Sequence, residues 1–213
     1  MENVLLIGAG GHAKSIIDSI LRKDEFKIFG IIDKKEMVGN KVNGINIIGS
    51  DEELAYFYDK GIKKAFVCIG NNKVRKKLIN KLEKIGFELI NIIDTTAIIA
   101  KNATILDGCF IGKGAIINSN SVIKKGSIIN TGAIIEHDCI IGEYVHVAPG
   151  TTLCGGVEIG NETFIGANSV VIQYKKIGSD VLIGAGSVVT KDINNKTICY
   201  GNPCRKVEKW IRY

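Results

Sequence analysis

Proline is almost absent from this sequence: two in 213 residues, at positions 149 and 203. With so little proline and charges scattered rather than blocked, long disordered segments are excluded. No apolar run reaches the length of a membrane-spanning helix. The opening "MENVLLIGAGG" has neither a basic n-region nor a cleavage site, so the sequence predicts no signal peptide. Six cysteines (68, 109, 139, 154, 199, 204) form no CxxC pair and no metal-ligand spacing. They predict free, buried thiols in a reducing cytoplasm, and no metal site. The 28 Lys+Arg exceed the 22 Asp+Glu by only +6, and no basic tract has the density of a nucleic-acid binder. Such a charge suits an anionic small ligand.

What is present divides into two kinds of sequence. Residues 1–94 alternate short apolar runs with helical spacing. "NVLLIGAGG", "FKIFGIID", "KKAFVCIG" and "ELINIID" are predicted strands. "HAKSIIDSILRK", "GSDEELAYFYDKG" and "NKVRKKLINKLEKIG" are predicted helices, the second capped by Ser50 or Asp51 and the third closed by Gly86. Alternating strands and helices predict a small parallel α/β domain. Its "GAGGHA", 8–13, fits G-x-G-x-x-A between a strand and a helix, where glycines admit a phosphate to free helix N–H donors. Asp33 ends the next strand, where dinucleotide folds place a ribose acceptor. A dehydrogenase is nevertheless rejected, because about 94 residues make roughly one mononucleotide half.

Positions 97–190 repeat in sixes. From Ile99 to Val189, all sixteen residues at intervals of six are aliphatic. From Ala103 to Ser187, fourteen of fifteen are small or β-branched, Lys175 being the exception. An amphipathic helix has a period near 3.6 and cannot hold this beat. Each unit is one short strand plus a turn, and three units make a triangular coil. Fifteen units over 99–188 give about five coils, which bury their apolar faces only by stacking. This is a hexapeptide parallel β-helix. The usual crossover rule alone would favour right-handed coiling.

The chain resembles the hexapeptide-repeat acyltransferases of bacterial sugar metabolism, and within them the sialic-acid O-acetyltransferase and nucleotide-4-aminosugar N-acetyltransferase group. The matching stretches are "IGAGGHAKSIID", "IGNNKVRKK", "IIEHDCIIGEYVHVAPG", "CGGVEIG" and "GNPCRKV". That resemblance implies a left-handed β-helix, a Rossmann-like nucleotide-sugar-binding domain over 1–94, and an acetyl-CoA-binding β-helix over 95–213 with a short C-terminal tail. It further implies a cytoplasmic homotrimer with acetyl-CoA between neighbouring β-helices, working in O-antigen or glycan biosynthesis.

By the same resemblance, His137 is the general base and Asp138 its partner. His146 and the N–H of Gly155 contact the thioester. Gly166, Ala167, Gly184 and Ala185 line the CoA arm, and Pro203 lies against the adenine. Gly10, Gly11, His12, Asp33, Gly70, Asn71, Asn72 and Arg75 hold the nucleotide-sugar. An imidazole with a pKa near 6.5 suits general-base work. Simple strand alternation would point Asp138 away from His137, so the pair requires a bend at a coil corner. Structural readings stand beside these: glycines at coil bends need no ligand, His146 serves equally as an interface residue, and His12 as helix packing. The expected reaction is direct acetyl transfer from acetyl-CoA to the 4-amino group of a nucleotide-linked deoxyaminosugar, with no acyl-enzyme. O-acetylation of a sialic-acid-like sugar is the alternative, and an inert nucleotide-binding scaffold the third possibility.

Overall fold

The structure, a computed structural model, describes residues 1–23 and 25–207. The chain divides into two compact units, Met1–Thr95 and Thr96–Tyr213. Positions 208–213, which hold the end of the expected tail, lie outside the described residues.

The first unit is built on β1 (Glu2–Ile7), α1 (Gly11–Leu21), β2 (Phe26–Ile32), β3 (Lys41–Val42), β4 (Ile45–Gly49), α2 (Leu54–Asp59), β5 (Lys64–Val67), α3 (Asn72–Ile85) and β6 (Glu88–Leu89). The sheet order is β3-β4-β2-β1-β5-β6. All pairings are parallel except the edge pair β3–β4. From Val4 to Ile7, β1 is buried on both faces, as a central parallel strand requires. Ala13, Ile16, Ile17 and Ile20 bury one stripe of α1. Asn71 caps α3 by accepting from Val74 N at 3.1 Å, and Gly86 ends it in the left-handed region at φ 110°. Ser50 and Glu53 form a capping box ahead of α2. The β3–β4 hairpin is not among the predicted strands, and its edge strand β3 has only two residues. Its turn, Asn43-Gly44 with φ of 47° and 82°, carried the available signal. Chain order reverses between β2-β1 and β5, so the loops after β1 and β5 meet where open α/β sheets bind ligands.

The second unit is a left-handed parallel β-helix. Two-residue strands pair in register with the strand one coil on, as in Ile99↔Ile117 and Ile117↔Ile135. That column continues through Leu153, Val171 and Val189 as the sequence predicts. Ile117, Ile135, Leu153 and Val171 are wholly buried. The crossover rule fails here because it describes long connections packing back over a sheet. These corners are tight turns, many with a residue in the left-handed region, such as Asn120, Asp138, Tyr144, Glu162 and Asn168.

The small bend residues do more than fit. Ser127 Oγ donates to Gly142 O at 2.8 Å and accepts from Val145 N at 3.1 Å. Thr163 and Ser169 repeat this bridge on later coils. Buried hydroxyls thus satisfy backbone groups that the corners leave without strand partners. The glycines after the aliphatic positions answer to packing. A Cβ on Gly166 would lie 2.4 Å from Ala185 N, and one on Gly184 2.6 Å from Tyr200 Cβ.

Candidate active site

His137 stands at a corner of the β-helix, just past the strand that ends at the buried Ile135. The required bend is present: Asp138 takes φ 59°. Its Oδ2 consequently lies 2.8 Å from His137 Nδ1. A carboxylate only accepts, so Nδ1 carries the proton and the neutral ring presents Nε2 as its basic nitrogen. Hydrogen bonds from His137 and then Asn120 hold the Asp138 carboxyl below the usual carboxylate range. Both side chains are more than half exposed, so the pair faces a ligand without local unfolding.

One coil on, Gly155 lies under the imidazole, where a Cβ would come within 2.5 Å of His137 Cε1. Gly156, at φ 68°, donates its N–H to His137 O at 2.9 Å. The exposed Tyr174 ring packs over Gly156. The Gly155-Gly156 floor is therefore open only because neither residue has a side chain.

His146 is buried, unlike His137, and sits edge-on to Phe164 with centroids 5.1 Å apart. Asn130 Nδ2 donates to its Nε2 at 3.1 Å. An amide nitrogen only donates, so Nε2 is the unprotonated nitrogen of His146. Asn130 was not among the sequence candidates. Counting one coil back from His146 gives its strand partner Ile128, and Asn130 stands two positions later, just past the end of that strand. Gly166 and Gly184 are explained by coil packing, while Ala167 is half-buried and Ala185 exposed. Pro203 is exposed beside a cleft of about 470 Å³ bordered by Lys191, Lys196, Arg205 and Lys206, a basic feature the sequence reading passed over.

In the first unit, Gly8 has φ 106° and no room for a Cβ, which would meet Ile69 Cδ1 at 2.4 Å. A Cβ on Gly10 or Gly11 would meet open space, so those two leave the start of α1 accessible. Asp33 Oδ2 accepts from Ala9 N, tying the Gly-rich turn to the end of β2, and Oδ1 accepts from Lys34 N at 2.7 Å. Asp33 joins Gly8, Ile69, Lys34, Lys35 and Lys77 around a cleft of about 820 Å³. Gly10, Gly11, His12, Gly70, Asn71, Asn72 and Arg75 are not part of its lining.

Arg75 is wholly buried, and its guanidinium donates to Ile69 O, Gly70 O and Asn72 Oδ1. It therefore clamps the loop after β5. His12 is brought down to a pKa of about 4, by burial first and by Arg75 second. Among the described residues, no group of three or more His, Cys, Asp or Glu is arranged to hold a metal, and no helix is long and apolar enough to cross a membrane. All six thiols are free, but only four are buried as the sequence predicts, Cys154 and Cys204 being half-buried; burial pushes Cys139 up to about 11.

Comparison with known proteins places these features. Residues 3–82 match the PglD N-terminal domain, and 120–155 and 138–173 match the bacterial transferase hexapeptide (six repeats). UDP-N-acetylbacillosamine N-acetyltransferase of Bacillus subtilis (strain 168) is 34% identical over 113 residues, covering 52% of this chain and 51% of that protein. An uncharacterized protein of Acanthamoeba polyphaga mimivirus is 34% identical over 109 residues, 51% of this chain and 21% of that one. The matched part thus spans about half the length of the first relative and about a fifth of the second. PerB from Caulobacter crescentus, in complex with CoA and GDP-perosamine, superposes with a TM-score of 0.93 at 35% identity, covering 97% of this chain and 98% of that one. The acetyltransferase domain of PglB from Neisseria gonorrhoeae FA1090, in complex with acetyl coenzyme A, gives a TM-score of 0.87 at 30% identity, with 97% and 99% covered.

Proposed function

This chain belongs to the hexapeptide-repeat sugar acetyltransferases that carry a PglD N-terminal domain, and from that premise we propose that it acetylates the 4-amino group of a nucleotide-linked deoxyaminosugar with acetyl-CoA. The observation that carries the reading is the His137–Asp138 pair at 2.8 Å, exposed above the Gly155-Gly156 floor. Acetyl-CoA supplies the activated thioester. His137 Nε2 takes the proton that the amine sheds as its nitrogen bonds to the carbonyl carbon. The C–S bond then breaks and CoA leaves as the thiolate, so no acyl-enzyme is needed. Asp138 stabilises the imidazolium formed in that step. The Gly155 N–H is the donor proposed for the developing oxyanion. His146, buried, keeps a fixed orientation against Phe164 and contacts the thioester in this reading.

The cations of the cleft beside Pro203 suit the phosphates of CoA, with Ala167 and Ala185 along its arm. In the first unit, the cleft at Asp33, with Lys34, Lys35 and Lys77, suits a nucleoside diphosphate, and the open start of α1 at Gly10 and Gly11 suits its sugar. Gly70, Asn71, Asn72 and Arg75 build the loop that borders this region, with His12 behind it. Residues 1–94 are thus assigned to nucleotide-sugar binding and 95–213 to acetyl-CoA, in a cytoplasmic homotrimer.

The test is incubation of the purified protein with acetyl-CoA and UDP-, dTDP- and GDP-linked 4-aminosugars, following release of free CoA thiol. Saturable release with one of them is expected. Release with a free sialic acid as the only productive acceptor would refute the assignment.

A further inference from the structure

Asp138 does not hold His137 unaided. Its other oxygen, Oδ1, accepts from Asn120 Nδ2 at 3.0 Å, and Asn120 Oδ1 accepts from Asn102 Nδ2 at 2.6 Å. The coil repeat is eighteen residues, as in Val122↔Ile140, so positions 102, 120 and 138 stack on one corner of successive coils. An amide donates only through nitrogen and accepts only through oxygen. The bond from Asn102 therefore turns the Asn120 amide so that its NH2 faces Asp138. Every donor in the ladder points toward the carboxylate, and the last, His137 Nδ1–H, arrives from the opposite side at 2.8 Å.

Asparagine tolerates the left-handed backbone that Asn120 adopts at φ 62°, and this is a sufficient reason for the residue type. It is not a reason for the ladder. Gly156 and Tyr174 hold the same corner on later coils, at φ 68° and 55°, without a carboxamide. The carboxamides occupy only the coils that lead up to Asp138.

We infer that Asn120, oriented by Asn102, is a positioning residue for His137: it fixes the Asp138 carboxylate and thereby the imidazole's orientation and tautomer. This rests on the reading of His137 as the base. Beside Asp138 itself, the titratable side chains on this and adjoining coil corners are Lys101, Glu136, His137, Cys139, Cys154, Tyr174 and Lys175. Asn120, which does not titrate, is hydrogen-bonded to the Asp138 carboxylate alongside them.

Two variants of the full chain test this. Asn120→Gly removes the amide where glycine suits the backbone, as Gly156 does in the same column. Asn120→Asp keeps the shape but sets a second carboxylate against Asp138. The His137 ring is titrated by NMR without substrate, beside steady-state kinetics with acetyl-CoA and the UDP- and GDP-linked 4-aminosugars. Asn120→Asp is expected to raise the His137 midpoint and the acidic limb of kcat/KM, because added negative charge favours imidazolium. Asn120→Gly is expected to weaken the Nδ1–H tautomer preference. It should also lower kcat about tenfold, less than removal of a general base costs, with KM for acetyl-CoA unchanged. If both variants keep the wild-type midpoint, tautomer and limb, and only the melting temperature falls, the inference is overturned. A wild type that acetylates none of the sugars counts against the functional reading instead, and the NMR titration still decides the ladder.

Discussion

The His137 imidazole lies so close above Gly155 that a single methyl there would fall 2.5 Å from Cε1 and 2.6 Å from Nε2. The base and the proposed oxyanion donor are thereby one coil apart in the fold, although eighteen positions separate them in the chain.

Gly155→Ala therefore displaces the ring without straining the backbone, since Gly155 is not in the left-handed region. The expected outcome is a fall in kcat of about a hundredfold, the scale of a lost general base. Far-UV circular dichroism should remain that of the wild type. Retention of full turnover would show that the ring has no fixed catalytic position.

His137→Ala should lose about two orders of magnitude or more in kcat. The side chain is 53% exposed, so its removal should change stability by less than about 0.5 kcal/mol. Steady-state kinetics and urea denaturation on one preparation check both halves.

Ser127 tests the account of the bends. Replacing it with Ala leaves Gly142 O and Val145 N without the hydroxyl that bridges them, at an expected cost of about 1–3 kcal/mol. Ser127→Cys should cost less. Cys109 and Cys139 already occupy equivalent bends, where their Sγ atoms lie 3.2 and 3.3 Å from Lys124 O and Cys154 O. Denaturant midpoints of the two variants decide the order.

His12 gives the first unit a pH dependence. Its folded pKa, about 4, lies below the unfolded value of 6.5, so the unfolded chain binds more protons between those limits. Its contribution is full above pH 6.5 and is lost as pH falls toward 4, by about 3 kcal/mol at most. His12→Gln should flatten that part of the stability profile. An unchanged slope in the variant would assign the acid loss to other groups.

Much of this was legible in the chain because its cause is local. An uninterrupted period of six cannot be carried by a helix, and it names the inward positions one by one, which is why Ile117, Ile135 and Leu153 stack where the spacing puts them. The helix ends at Asn71 and Gly86 follow from capping chemistry. Arg75 was less legible. By resemblance it is expected to complete the nucleotide-sugar pocket, yet Ile69 O, Gly70 O and Asn72 Oδ1 take its guanidinium inward.

The sequence by itself determined the β-helix, its interior columns and the two domains' composition, because burial at fixed intervals leaves no other stable arrangement for those aliphatic side chains. Only the tertiary structure decided the working geometry of the corner. The left-handed turn at Asp138 brings adjacent side chains together, and in-register stacking sets Asn120 against that carboxylate and Gly155 beneath the ring. A periodic pattern specifies which residues point inward. It takes closure of successive coils to say which of the outward ones touch.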